Sequence, residues 1–476
     1  MIFLAIIFGY FGLLVLISRL LSRGATNESF FRGDRRSRWY MVAFGMIGAS
    51  ISGVTFVSVP GMVIFSDMTY LQMCLGFVVG YLLVAFVLLP IYYRLNLTTI
   101  YSYLQGRFGR YSYKTGSVFF VMSKLIGASI RFYVAAFLLQ RYLDTFIDIP
   151  FSLTAVLLVG LIWLYTRRGG IRTLVSTDVI QTVVMFVSLL LIIMAVIHHL
   201  DMGVGDAVKA IMNDSHSRIF VWDDWFSPRH FVKQFLSGIF VVIVMTGLDQ
   251  DMMQKNLTCK SLRDAKKDMC TYGIAFLPAN LLFLSLGVLL VLLTQMRGDA
   301  LPEVTDELLP MYAVTGLLGQ GAMMLFLLGI MSSAFSSVDS AMTALTTTVC
   351  VDWFERQNDE RLRHWVHLGI AVSFVVFMIV FHAIGSKSVI DAIYTICGYT
   401  YGPLLGLFAY GLMTHRGLAD RAVPFIAIVS PLLCWVLSVV VKDATGYVFG
   451  YELLLLNGLL TFFGLYISGL FVRSKK

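Results

Sequence analysis

Charge is scarce in this chain. Only 13% of its 476 residues are Asp, Glu, Lys or Arg, while 58% are apolar. A soluble domain carries about 25% charged and about 45–50% apolar residues, so this composition excludes one, and the mean hydropathy of +0.81 says the same. Several other features are missing. The six cysteines (Cys74, Cys259, Cys270, Cys350, Cys397, Cys434) have no spacing that suggests a metal site or a disulfide framework. There is no Gly-rich phosphate loop, no HExxH and no Cys–His pair, so neither an enzyme nor ATP-driven transport is expected. No stretch between apolar runs is long enough to hold a soluble domain; the longest, 200–229, has Trp222 and Trp225 near its end. Only four residues follow Val472, which argues against an attached signalling output. Short alternating segments, the mark of a membrane barrel, are absent as well.

What the chain does have is long apolar runs. A helix needs about 20 apolar residues to span a bilayer, and about thirteen such stretches can be counted. They lie at 2–22, 39–66, 71–94, 114–143, 150–167, 173–199, 230–250, 270–296, 321–350, 363–384, 387–412, 421–442 and 452–472. The expected fold is an all-α polytopic membrane protein. The formal charge of +8 could point to nucleic acid, but its distribution does not. Arginines and lysines cluster after the first, third, fifth, seventh (Lys255, Lys260, Arg263, Lys266 and Lys267), ninth and eleventh runs, and Arg473, Lys475 and Lys476 end the chain. The intervening loops are acidic or sparse. This alternation is the positive-inside pattern, with the N-terminus outside and the C-terminus in the cytoplasm of a plasma membrane, here a bacterial inner membrane. The first run has no basic segment before it and reads as an anchor rather than a signal peptide.

The ninth run holds the densest polar cluster, Gly329-Ile-Met-Ser-Ser-Ala-Phe-Ser-Ser-Val-Asp339. Polar groups in hydrocarbon are costly unless they meet partners or line a site. Hydroxyl and carbonyl oxygens suit a hard cation such as Na⁺. A lone serine there often only bonds a backbone carbonyl, but four serines and an aspartate in one stretch favour a site. The second run contains Gly45-Met-Ile-Gly-Ala-Ser-Ile-Ser-Gly53. It reads as a broken helix whose freed carbonyls line a cavity, or as a packing face with Gly45, Ala49 and Gly53 four residues apart. Asp178 sits a few residues inside the sixth run, either functional or paired with Arg168 or Arg172. The cluster Asp249-Gln-Asp-Met-Met-Gln-Lys255 ends the seventh run, either as an inner gate or as a solvated terminus matched to the helix dipole. Arg131 lies in the middle of the fourth run and needs an anion: a substrate carboxylate, Asp178 or Asp339.

Six motifs in order resemble the sodium:solute symporters, a family of sodium-coupled sugar, proline, iodide, vitamin and sialic-acid carriers. They are Phe30-Phe-Arg-Gly33 with Trp39, Thr98 to Phe108, Gly169-Gly170 with Thr177-Asp-Val-Ile-Gln181, Asp249-Gln250 to Lys267, Ser332-Ser333, and Gly402-Pro-Leu-Leu-Gly406. The resemblance implies a core of two inverted five-helix repeats in the LeuT-like manner, at about 39–199 and 230–412. Residues 1–38 would then form an extra span and basic loop, 200–229 an external loop, and 413–476 two extra spans. It also implies a sodium site at the carbonyls of Gly48, Ile51 and Gly329 and the hydroxyls of Ser332 and Ser333. Some members bind a second sodium, which here matches Asp178, Ser332 and Ser336; a position that is serine in some of them is Phe335. The run from Ile51 to Pro60 is most similar to the sialic-acid and carboxylate branch, which implies Ser50, Ser52 and Thr55 at the solute site; Tyr70, Arg131, Asp249 and Gln250 are further candidates for it. The family's substrate arginine aligns nearer Gly127 or Ala128, one turn from Arg131.

The expectation is therefore a secondary active transporter: Na⁺-coupled symport of a small organic solute by alternating access, with the lipid bilayer as its setting and neither nucleic acid nor ATP as a partner. A transporter-fold sensor or scaffold, and an ion channel, are the alternatives.

Overall fold

The computed structural model describes residues 2–144, 148–384 and 389–471. The basic residues Arg473, Lys475 and Lys476 and the side chain of Cys397 lie outside the described residues. Nearly all of the described chain is helical. Among the described residues, nine helices are long and apolar enough to cross a membrane, or eleven if each of two bent pairs counts as one span. The chain is thus the all-helical membrane protein its composition demands.

The two bent pairs organise the interior. Trp39–Ser50 and Gly53–Ser66 meet at 62°, and Phe231–Gly247 meets Gln250–Asn256 at 70°. Each break has a local cause. At the first, Ile51 leaves helical geometry (φ −79, ψ 87) and Ser52 becomes an N-cap that accepts from the Thr55 N–H at 3.4 Å. At the second, Gly247 precedes Asp249, whose carboxylate caps the next helix by accepting from the Asp251 N–H at 2.9 Å. Serine and aspartate favour such caps because their side chains replace the missing helical acceptor. The expected single run at 230–250 is therefore a broken helix, and the polar cluster after it is not a solvated terminus. Every residue from Gln250 to Asn256 is buried.

Burial sorts the other helices. In Gln320–Trp353, hereafter the serine helix, every residue from Gly329 to Thr348 is buried. A helix buried all round belongs in the centre of a bundle. It packs against Ile171–His199, Arg110–Leu143 and both halves of the first broken pair. Val423–Thr445 buries only Val423, Ala427, Ser430 and Cys434, which leaves a broad apolar face outward, as a peripheral span needs. The helices Tyr70–Arg94 and Phe231–Gly247 cross with their backbones in contact. A Cβ on Gly76 would lie 2.1 Å from the Phe235 carbonyl oxygen, and one on Gly238 would lie 2.3 Å from that of Met73. Small residues permit this approach, which lets helices associate without a hydrophobic driving force.

Candidate ion and solute site

The first break frees backbone oxygens. Ser52 N–H turns to the Ser50 carbonyl at 3.1 Å, so the helical bond it would give to Gly48 is not made. Two serines from the serine helix reach into the gap. The Ser333 hydroxyl donates to the Ile51 carbonyl, and the Ser337 hydroxyl donates to the Ala49 carbonyl at 2.8 Å. Beside them the Ser332 hydroxyl is buried next to the Tyr10 hydroxyl, and neither makes a hydrogen bond of normal geometry. Gly48 is held close to Ile171–His199: a Cβ there would sit 2.0 Å from Thr182 Oγ1. A side chain at this position would push the break away from its neighbour. Ile51 and Ser333 are thus brought together from two elements, with Gly48 three residues before Ile51 at the break, Ser332 next to Ser333 in the chain and Gly329 one turn before it. A buried polar oxygen without a partner is costly, and a neutral set of carbonyls and hydroxyls fits a hard monovalent cation. Among the described residues, no group of three or more His, Cys, Asp or Glu stands ready for a transition metal. These residues fit sodium as a transported ion.

Against the same break, with Ala49 and Ser337 in its wall, lies a cavity of about 130 Å³, roughly ten times the minimum for one water. Six of the seven expected solute residues line it: Ser50, Ser52, Thr55, Tyr70, Arg131 and Asp249. Gln250 does not. Its side chain is fully buried and pins the loop before Arg110–Leu143, accepting from the Ile100 N–H at 2.9 Å and donating to the Thr98 carbonyl at 3.1 Å. The motif Thr98 to Phe108 and the motif at Asp249-Gln250 are therefore two halves of one contact. The Ser50 hydroxyl bonds Tyr272, which in turn accepts from Tyr81 at 2.7 Å. Arg131 is half-buried on the cavity wall. It makes no hydrogen bond or ion pair with any described residue.

Neither aspartate offered as Arg131's anion meets it. Asp339 accepts from the Tyr165 hydroxyl at 2.7 Å and from Ser340 at 3.2 Å. Asp178 pairs with Lys255 at 2.7 Å, both 1% exposed, and its other oxygen accepts from Ser336 at 2.8 Å. The expected ion pair for Asp178 exists, but not with Arg168 or Arg172; Arg172 reaches Asp34 at 3.3 Å instead. Lys255 had counted among the basic residues of a cytoplasmic loop, whereas the fold buries it inside the bundle. Phe335 points elsewhere and packs its ring edge-on against Phe11 and Phe132.

Sequence reasoning missed a second cluster on the cavity wall. Lys124, on Arg110–Leu143, lies 2.6 Å from Asp251 and 3.1 Å from Asp249. Tyr401 donates to the same Asp249 oxygen at 2.7 Å. The available signal was a lysine in an apolar run seven residues before Arg131, which by itself names no partner.

The model of the sodium:solute symporter family matches residues 30–423. The sodium/sialic acid symporter NanT of Aliivibrio fischeri is 24% identical over 449 residues, covering 91% of this chain and 87% of that protein. The human sodium/iodide cotransporter is 28% identical, covering 85% of this chain and 65% of its own length. Among solved structures, a substrate-bound, outward-open sodium-coupled sialic acid symporter superposes with a TM-score of 0.85 at 22% identity, covering 99% of this chain and 98% of that one. The nucleobase-cation symporter Mhp1 in a closed conformation superposes at 0.57 and 14% identity, covering 92% and 93%. The first of these likenesses spans nearly the whole fold, and the family match takes in both breaks, the serine helix and the cavity between them, so this chain belongs to the sodium:solute symporter family, a family of sodium-coupled carriers rather than enzymes.

Proposed function

We propose that the protein couples inward movement of Na⁺ to uptake of a small carboxylate-bearing solute. The observation that carries this reading is the joint at the first break: the Ser333 and Ser337 hydroxyls bond the carbonyls of Ile51 and Ala49, while Ser50 and Ser52 of the same break line the cavity. Na⁺ held by the carbonyls of Gly48, Ile51 and Gly329 and the hydroxyls of Ser332 and Ser333 would tie the broken helix to the serine helix. That would fix the cavity wall on which the solute rests. Coupling of this kind must be reciprocal, each ligand raising affinity for the other. The sodium gradient drives the cycle, and the membrane potential adds about 2.3 kcal/mol per 100 mV only for each net positive charge carried inward.

Arg131, unpartnered on that wall, is the reason to favour a carboxylate. The relative named for sialic acid, itself a carboxylate, points the same way. Ser50, Ser52, Thr55 and Tyr70 would hold the solute's hydroxyl groups, and Asp249, tied to Lys124 and Tyr401, would close the far side. The alternating-access core would consist of two inverted five-helix repeats, about 39–199 and 230–412. Support for this lies in the two breaks, each in the helix that opens its unit. With one span before and two after, the count would be thirteen, and the basic loops set the N-terminus outside.

The test is a solute screen by tryptophan fluorescence in sodium and in potassium buffer. N-acetylneuraminate, lactate, proline and glucose serve as probes. A carboxylate probe should bind in sodium only, and Arg131→Ala should abolish that binding. Binding of glucose but no carboxylate, unchanged in Arg131→Ala, would contradict the solute assignment.

A further inference from the structure

A buried carboxylate flanked by serine hydroxyls is a place for a cation. Asp178 makes such a place where three elements meet: its own helix Ile171–His199, the serine helix, and the short helix Gln250–Asn256. Ser336 donates to Asp178 Oδ1 at 2.8 Å, and Ser332, one turn earlier on the same helix, has a hydroxyl without a hydrogen bond. These are the residues to which the family resemblance would assign a second sodium. A cation already stands there. Lys255 Nζ lies 2.7 Å from Asp178 Oδ2, and neither atom has any other partner among the described residues. The neighbouring Asp339 has its oxygens on Tyr165 and Ser340, so it offers no separate seat.

We propose that the Lys255 ammonium permanently takes the place of a second sodium ion, so that this carrier binds a single Na⁺ at the Ile51–Ser333 joint. The inference rests on the proposed sodium-coupled reading. A sodium ion on Asp178 would have to share one carboxylate with a buried ammonium, in surroundings where like charges are poorly screened. The lysine also differs from an ion in function. It joins the second broken span to the Asp178 helix, and through Asp178 and Ser336 to the serine helix, but unlike a bound ion it cannot leave. It therefore adds structural closure and draws nothing from the sodium gradient. With a singly charged carboxylate as solute, one Na⁺ per cycle makes transport electrically neutral.

The test is equilibrium binding of radioactive ²²Na⁺ to the purified full chain, without solute, at saturating sodium. Wild type should bind one Na⁺ per chain with a hyperbolic isotherm. Two per chain would overturn the inference while leaving the symporter reading intact. None would overturn the symporter reading itself, and the inference with it. Lys255→Ala empties the seat and should raise the count from one to two; a folded variant that still binds one would count against the inference. Lys255→Arg keeps a tethered cation and should bind one, and two in that variant would overturn the inference even if Lys255→Ala does not fold.

Discussion

The two breaks look alike in bend, 62° and 70°, yet their exposed backbone is handled in opposite ways. At the second, the freed carbonyls are capped by the protein. Tyr92 donates to the Gly247 carbonyl at 2.9 Å and Tyr101 to that of Leu248 at 3.0 Å. The charges that follow are also matched internally, Asp249 and Asp251 by Lys124, and Lys255 by Asp178. At the first break, among the described residues, no charged side chain bonds a carbonyl of residues 48–52. The side-chain donors to these carbonyls are Ser333 and Ser337, and the Ser332 hydroxyl is left over. A break completed by its own tyrosines and lysines is a fixed wall. A break completed only by weak, neutral oxygens has room for a mobile cation to improve it. On the proposed reading, the carrier keeps one joint closed and leaves the other dependent on an ion.

The sharpest way to break this comparison is to strip charge from the second joint. Lys124→Ala leaves Asp249 and Asp251 together without their cation, and losing one partner of a buried ion pair costs about 3–5 kcal/mol. The melting temperature in detergent should fall strongly regardless of the cation present, and Lys124→Ala with Asp251→Ala should recover part of the loss. A smaller effect is expected at Gly48. Its new Cβ in Gly48→Ala would fall 2.0 Å from Thr182 Oγ1, and such overpacking costs about 1–3 kcal/mol. Sodium-dependent stabilisation should disappear with it, and pairing the change with Thr182→Ala should restore both; recovery of stability without sodium dependence would show that the gap itself had changed. Tyr101→Phe uncovers the Leu248 carbonyl, a loss of about 1–3 kcal/mol for a buried acceptor left bare, equal in sodium and potassium. Smallest of all, Ser337→Ala removes one hydrogen bond to the Ala49 carbonyl, about 1 kcal/mol, and the sodium response should survive because Ser337 is outside the proposed ligand set. Loss of that response would extend the ion site by one turn.

The sequence made legible whatever belongs to a single helix. The apolar runs placed most helix ends within a few residues, although the helix of the eighth run starts eight residues earlier, at Leu262, and Gly45 to Gly53 pointed to a break because small and polar residues cannot hold a helix in hydrocarbon without help. The serine cluster announced polar purpose for the same reason. What stayed hidden were partners. Lys124 and Asp249 are 125 residues apart and Lys255 and Asp178 lie on different elements, so nothing in either local pattern names the other. Lys255 read as a loop lysine because the charge-counting rule cannot see that the chain re-enters after Asp249. Gln250 read as a solute ligand because an amide in a polar cluster looks the same whether it faces a cavity or pins a neighbouring loop.

The most direct test of the ion-dependent joint compares melting temperatures of purified wild type and Ser333→Ala in NaCl and in KCl at equal ionic strength. A ligand at a hundred times its dissociation constant adds about 2.7 kcal/mol of stability. Wild type should be stabilised by sodium and not by potassium, and Ser333→Ala should melt at the same temperature in both salts. Equal melting of wild type in the two salts, or an undiminished sodium response in Ser333→Ala, would contradict the assignment of this joint as the sodium site.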